Sequence, residues 1–255
     1  MPHFNQGTLR ATCVAVSTDG RQWDKPVLTA AQCSGSTTCI PGTNIVHNVS
    51  YAGNIVWLDL EESDPSQLYK MIEDFGPNKG SCSLKGCGCP FRLLSSPDGL
   101  RWTLRKTTGC TEDRASGFYN PFRKRWVFSI KAGGSDISAA THTAQPFNRH
   151  RHYYETPTRD LFGDDVSFTA DPSLPASGGT YAWANADKYD RGWLGVKEGW
   201  EDQWPYGALY TVDGVAYESL LVFQFTNFRC KDHYAVCSAR EQTLLNSRAP
   251  LLIIF

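Results

Sequence analysis

The sequence predicts an all-β protein, a β-propeller in which antiparallel sheets of about four strands repeat at a long interval. Three observations predict it. Strand-like runs follow one another closely between turn signals, and helical periodicity is absent apart from a short stretch at 239–245. Glycine (22), proline (14) and aromatics (13%) are plentiful while methionine numbers 2, a mixture that suits turn-rich β structure better than a helical bundle. One turn motif recurs: Ser17-Thr18-Asp19-Gly20-Arg21-Gln22-Trp23 and Ser96-Pro97-Asp98-Gly99-Leu100-Arg101-Trp102 share the frame S-x-D-G-x-x-W, 79 residues apart.

Each element follows from its residues. In the motif, Asp accepts backbone N–H groups inside the turn, Gly takes a positive φ, and Trp packs back on the sheet. Strand-like runs precede the two copies at 13–17 and 91–95. A degenerate third copy stands at Thr158-Arg159-Asp160-Leu161-Phe162, after a strand at 151–155. Further strands are expected at 44–49 and 54–60 around Tyr51-Ala52-Gly53, at 68–72, and at 117–119 and 125–131 around Asn120-Pro121-Phe122-Arg123. The last pair, 208–212 and 215–225, is expected to turn at Asp213-Gly214. A β-sandwich is the alternative, but it does not call for the same turn-plus-Trp device at one fixed place in successive units. The propeller is expected to occupy 1–228, with blades at roughly 1–30 (the end of one), 44–107, 113–170 and 180–228, and 229–255 as an unpatterned tail.

Charge and composition exclude several classes. Lys+Arg 25 against Asp+Glu 26 gives a net charge of −1, which argues against a nucleic-acid binder working through a basic surface. No apolar run reaches the ~18 residues of a membrane-spanning helix. Nine cysteines, an odd number without zinc-ribbon spacing, read as loop staples with at least one thiol left over. With the sequon Asn48-Val49-Ser50 they point to an extracellular protein, although residues 1–30 show no signal-peptide pattern.

The two turns, the phrase from Phe118 to Ser129 (FYNPFRKRWVFS) and the phrase Val215-Ala216-Tyr217-Glu218-Ser219-Leu220-Leu221 together resemble one group. These are the five-bladed propeller proteins related to glycoside hydrolase families 32 and 43, the β-fructosidase-like superfamily, in a poorly characterised branch. The resemblance covers about 14–228. It implies five blades where about three are recognisable, so the chain reads as partial, with a blade expected before Cys13 and another after Phe228.

The resemblance also implies three acids around an axial pocket. Asp113, in Glu112-Asp113-Arg114, looks like the carboxylate that stabilises the oxocarbenium-like transition state. Glu218 looks like the acid/base, placed at the start of an inner strand and partly desolvated beside Tyr217. The first-blade Asp has no counterpart; Asp19 and Asp98 are turn residues, and Asp59 reads as structural. Substrate-binding candidates are Arg114, Trp183, Asp187, Asp190 and Tyr217, with Trp193, Trp200 and Trp204 as further aromatic platforms. His142, His150, His152 and Asp136 do not make a metal site, because Arg149 and Arg151 interleave with the histidines. That run reads instead as an anion contact or a solvated strand face. No phosphate loop, nucleophile elbow or cofactor motif appears, and no cofactor is expected.

The expectation is thus a glycoside hydrolase-like protein acting on a carbohydrate. A non-catalytic propeller that binds glycans or proteins is the alternative, and a sialidase-like reader of acidic sugars a third.

Overall fold

The computed structural model describes residues 11–48, 53–74, 90–110, 116–132, 150–168, 181–182, 206–230 and 248–253. The described residues are all-β, with one short 3-10 turn at Pro65–Gln67. The chain divides into two compact units, 1–82 with 90–108, and 83–89 with 109–255.

In the first unit, β1 (Thr12–Cys13) pairs antiparallel with β2 (Ile45–His47). A four-stranded sheet then runs β3 (Gly53–Leu58), β4 (Tyr69–Asp74), β5 (Pro90–Ser96) and β6 (Thr103–Cys110), each strand beside the one before it. That is an up-and-down meander, the form of a propeller blade. The second S-x-D-G-x-x-W turn joins its third strand to its fourth. Ser96 Oγ accepts from Gly99 N at 2.9 Å, Asp98 Oδ1 from Leu100 N at 2.9 Å and Arg101 N at 3.0 Å, and Trp102 Nε1 donates to Gly99 O at 3.1 Å. The first copy repeats the set: Gly20 N to Ser17 Oγ at 2.9 Å, Arg21 N and Gln22 N to Asp19 Oδ1 at 2.8 and 2.9 Å, Trp23 Nε1 to Gly20 O at 3.2 Å. The glycines sit at φ +71° and +75°, where an L side chain is strained.

The two tryptophans differ in what they meet. Trp102 is 8% exposed and packs with Leu28, Val46, Met71, Leu94 and the Cys33–Cys39 disulfide, whereas Trp23 is 59% exposed. Beside this core stand two buried ionic groups. Glu73 accepts from Arg92 Nε at 2.7 Å, its cross-strand neighbour, and lies 3.3 Å from His47 Nε2. His47 Nδ1 is 2.9 Å from Thr38 Oγ1, which ties the disulfide loop to β4. Lys70 Nζ donates to Glu62 at 2.7 Å and sits 3.3 Å from Asp59.

The second unit holds another four-stranded meander, β7 (Ser116–Asn120), β8 (Arg125–Ala132), β9 (His150–Glu155) and β10 (Tyr181–Ala182). The degenerate third turn again follows the third strand. It keeps two bonds of the set, Asp160 N to Thr158 Oγ1 at 3.3 Å and Phe162 N to Asp160 Oδ1 at 2.8 Å. Leu161, fully buried, stands where the other copies carry glycine. On one face of this sheet Phe128, Tyr154 and Phe168 cluster, with ring centroids 4.4 to 6.0 Å apart. The register Ser116↔Ser129↔Tyr153 puts Ser116, Phe118, Ser129 and Arg151 on the opposite face. That face meets a third sheet of β11 (Tyr206–Tyr217), β12 (Leu220–Cys230) and β13 (Arg248–Ile253). Phe118 and Phe223 pack edge to face at 5.4 Å.

Three expectations are corrected. Asp213-Gly214 is not a turn: β11 runs straight through it, and the reversal falls at Glu218-Ser219. Gly214 is there for space, since a Cβ would stand 2.8 Å from ring carbons of Phe118 and Phe223. The region after 228 is not wholly unpatterned, because the apolar run 251–253 lies within β13, paired on β12. The blade expected to end at 170 takes its fourth strand from 181–182.

Candidate functional site

Of the residues singled out in the sequence, Asp113, Arg114, Trp183, Asp187 and Asp190 lie outside the described residues, as do Asp136, His142, Trp193, Trp200 and Trp204. His150 and His152 belong to β9. Tyr217 and Glu218 are described. Tyr217 is the last residue of β11 and 64% exposed. Glu218 opens the two-residue turn to β12, in the left-handed region at φ +51°, and it too is exposed. The expectation of a partly desolvated carboxyl at the start of an inner strand is therefore corrected: Glu218 is exposed, on the hairpin turn that precedes β12.

The described residues bring together a different set. Where β11 crosses the sheet of β7–β10, Ser116, the first residue of β7, donates its hydroxyl proton to the Val212 carbonyl. The Ser116 hydroxyl and the Arg151 charge both act on the carboxyl of the neighbouring residue, Asp213. Arg151 is fully buried and anchored, Nε to Ser129 Oγ at 3.1 Å and Nη2 to Ser129 O at 2.5 Å. The reading of this stretch as a solvated strand face is corrected at Arg151: β9 lies between β8 and β10, and β11 packs against its arginine face.

Burial pushes the Asp213 carboxyl above the ordinary carboxylate range, and the Arg151 charge and the Ser116 hydrogen bond pull it back by less. Asp213 as a whole residue is nonetheless exposed, whereas Val212 before it is buried. Sequence reasoning missed Asp213 because an Asp-Gly pair is the strongest short turn signal. It missed Arg151 because an arginine between histidines carries no mark of burial.

The buried acids of the first unit are arranged otherwise. Asp59 accepts from Glu61 N at 3.2 Å and faces Lys70, and Glu73 is enclosed between Arg92 and His47. Both are closed to solvent, so they hold sheet and loop together and offer nothing to a ligand. No group of three or more metal-ligating side chains occurs among the described residues.

No protein-family model matches this chain, and no curated protein does. Among solved structures it is similar to a GH32 β-fructofuranosidase of Bombyx mori, with a TM-score of 0.42 and 12% identity over 93% of this chain. The match takes in 39% of that enzyme, so this chain spans about two fifths of its length.

Proposed function

We propose that this chain is part of a five-bladed propeller that binds a carbohydrate and cleaves a glycosidic bond, extracellularly. One observation carries the reading. The start of β7 and the middle of β11, from different sheets of the second unit, meet where the Ser116 hydroxyl donates to the Val212 carbonyl, next to Asp213 in the strand. In sequence Asp113 stands three residues before Ser116, a span that the chain covers in at most about 10 Å. Glycoside hydrolysis needs two carboxyl groups about 5 to 10 Å apart, and Asp113 is proposed as one of them.

In this reading Asp113 stabilises positive charge on the sugar ring, and the β11–β12 hairpin, which carries both Asp213 and Glu218, supplies the acid. Tyr217 offers an exposed ring for stacking on a sugar face. Arg114, Trp183, Asp187 and Asp190 are proposed to hold hydroxyl groups. The four-stranded meanders with their turn at one recurring corner support the propeller, and the Cys33–Cys39 disulfide fits an extracellular protein.

The test is turnover of a panel of aryl and alkyl glycosides, fructosides included, by the full chain and by Asp113→Asn. Loss of at least ~100-fold in kcat in the variant, with folding unchanged, is the expected result. Glycan binding on an array without any turnover refutes the hydrolase and leaves the non-catalytic binding propeller.

A further inference from the structure

An exposed ring and three cations share the turn that joins β7 to β8, which reads Phe122-Arg123-Lys124-Arg125. Phe122 is 52% exposed, the Arg123 side chain 68%, and Lys124 is exposed as well. We propose that this turn binds an acidic polysaccharide, with the Phe122 ring against a sugar face and the Arg123 and Lys124 cations on sugar carboxylates. The proposal rests on the carbohydrate reading above for the class of ligand alone. It adds a second contact, because the turn stands at the far end of β7 from Ser116, about 13 Å along the strand.

The turn is held in shape from within. The buried Asn120 side chain accepts from Phe122 N at 3.1 Å and from Arg123 N at 3.3 Å, which fixes the chain at the residues that carry the ring and the first guanidinium. Beneath it the cross-strand pair Tyr119 and Trp126 pack their rings 5.2 Å apart. A ring on so firm a base has little backbone freedom left to lose when a ligand covers it. Lys124 lies in the left-handed region at φ +52°, which glycine adopts without strain and lysine does not. Among the described residues its ammonium meets no partner that would offset the strain.

Charge decides the class of ligand. Arg123 Nε lies 3.0 Å from Glu155 Oε1, and Arg125 Nη1 donates to Thr156 O at 3.0 Å. Among the described residues Glu155 is the one carboxylate paired with these cations, and it also accepts the Tyr153 hydroxyl proton. Three cations against one carboxylate leave a local positive excess on a chain whose total charge is −1. With its Nε engaged, Arg123 keeps further N–H donors for a second carboxylate. The ring beside it suits a sugar, whose C–H-rich face stacks on an aromatic. A neutral glycan would leave the cations idle, and a small inorganic anion would leave the ring idle. A chain of uronate units uses both.

The test is binding of the full chain to polygalacturonate, to dextran and to phosphatidylserine vesicles, at low and at high salt. Expected is binding to polygalacturonate that weakens as salt rises, and none to dextran. Lys124→Gly removes a cation where the backbone favours glycine, so a loss of binding cannot come from unfolding. It should weaken binding about 5-fold, the worth of one cation beside a densely anionic surface. Phe122→Ser, also at an exposed side chain, should weaken it about 10-fold. Polygalacturonate binding that both variants leave unchanged overturns the proposal, and so does equal binding of dextran. Binding to vesicles without binding to polygalacturonate makes a membrane surface the partner and overturns it as well. Salt-sensitive polygalacturonate binding by a chain that turns over no glycoside supports the proposal and refutes the hydrolase reading alone.

Discussion

The sequence holds three Asp-Gly pairs, at 19–20, 98–99 and 213–214, and only the first two are turns. What separates them is the residue two before the aspartate. Ser17 and Ser96 each accept the N–H of the following Asp and Gly, which closes the turn before the glycine is reached. At Asp213 that place is taken by Thr211 in a paired strand, and the glycine serves packing. The seven-residue frame was therefore readable where the dipeptide alone misled.

The frame also sets a pH dependence. Burial would raise the Asp98 carboxyl, but backbone donors at Arg101 and Leu100, the Arg101 guanidinium and the Ser96 hydroxyl hold it below the usual aspartate value. A depressed folded pKa means that the carboxylate's stability is fully present above about pH 4, the unfolded value, and is lost as pH falls through the folded one. Asp98→Asn keeps an acceptor and removes the titration. It should flatten the acid limb of the urea-unfolding free energy below pH 4, and an unchanged limb would count against the frame as the source.

At the scale of elements, strand existence was legible and strand ends were not. The expected break at 213–214 and the observed reversal at 218–219 both lie in a run that alternates well enough for either, and local pattern alone cannot rank them. What decides is the neighbouring sheet. With the turn at 218–219, Gly214 falls opposite Phe118, and a strand one residue longer in side chain at this point would not fit. Gly214→Ala puts a methyl 2.8 Å from ring carbons of Phe118 and Phe223 and should destabilise the second unit by about 1–3 kcal/mol. Phe118→Leu in the same background should recover part of that loss, measured by urea unfolding. Absence of any recovery would show that Gly214 matters for backbone freedom and not for room.

At the scale of the molecule, the two four-stranded meanders share a design, third strand, turn, fourth strand, yet fill their cores differently. The second unit packs aromatic rings; the first combines a small apolar cluster with buried ion pairs and a disulfide. One staple, Cys33–Cys39, fits the reading of the cysteines as loop crosslinks, but its pairing was not readable, because sequence spacing does not fix how Cβ atoms face each other. Cys13, the nearest cysteine to Cys33 on the N-terminal side, is free and exposed. The site was legible even less, since Val212 and Ser116 are 96 residues apart and the crossing of two sheets joins them.

The disulfide gives the last prediction. Cys33 and Cys39 are six residues apart with Cα atoms 5.4 Å apart, and so short a closed loop removes little chain entropy on crosslinking, about 2 kcal/mol. The same loop carries Thr38, which meets His47, and His47 meets Glu73 on β4. If the crosslink holds that chain of contacts in place, Cys33→Ala with Cys39→Ala should cost more than 2 kcal/mol, about 3 to 4, as the buried Glu73 loses a fixed neighbour. Adding Glu73→Gln should then cost less in the disulfide-free protein than in the intact one. Additive losses would mean that Ser36 Oγ, which accepts from Thr38 N at 3.3 Å and Cys39 N at 3.1 Å, already keeps the loop in shape without the bond.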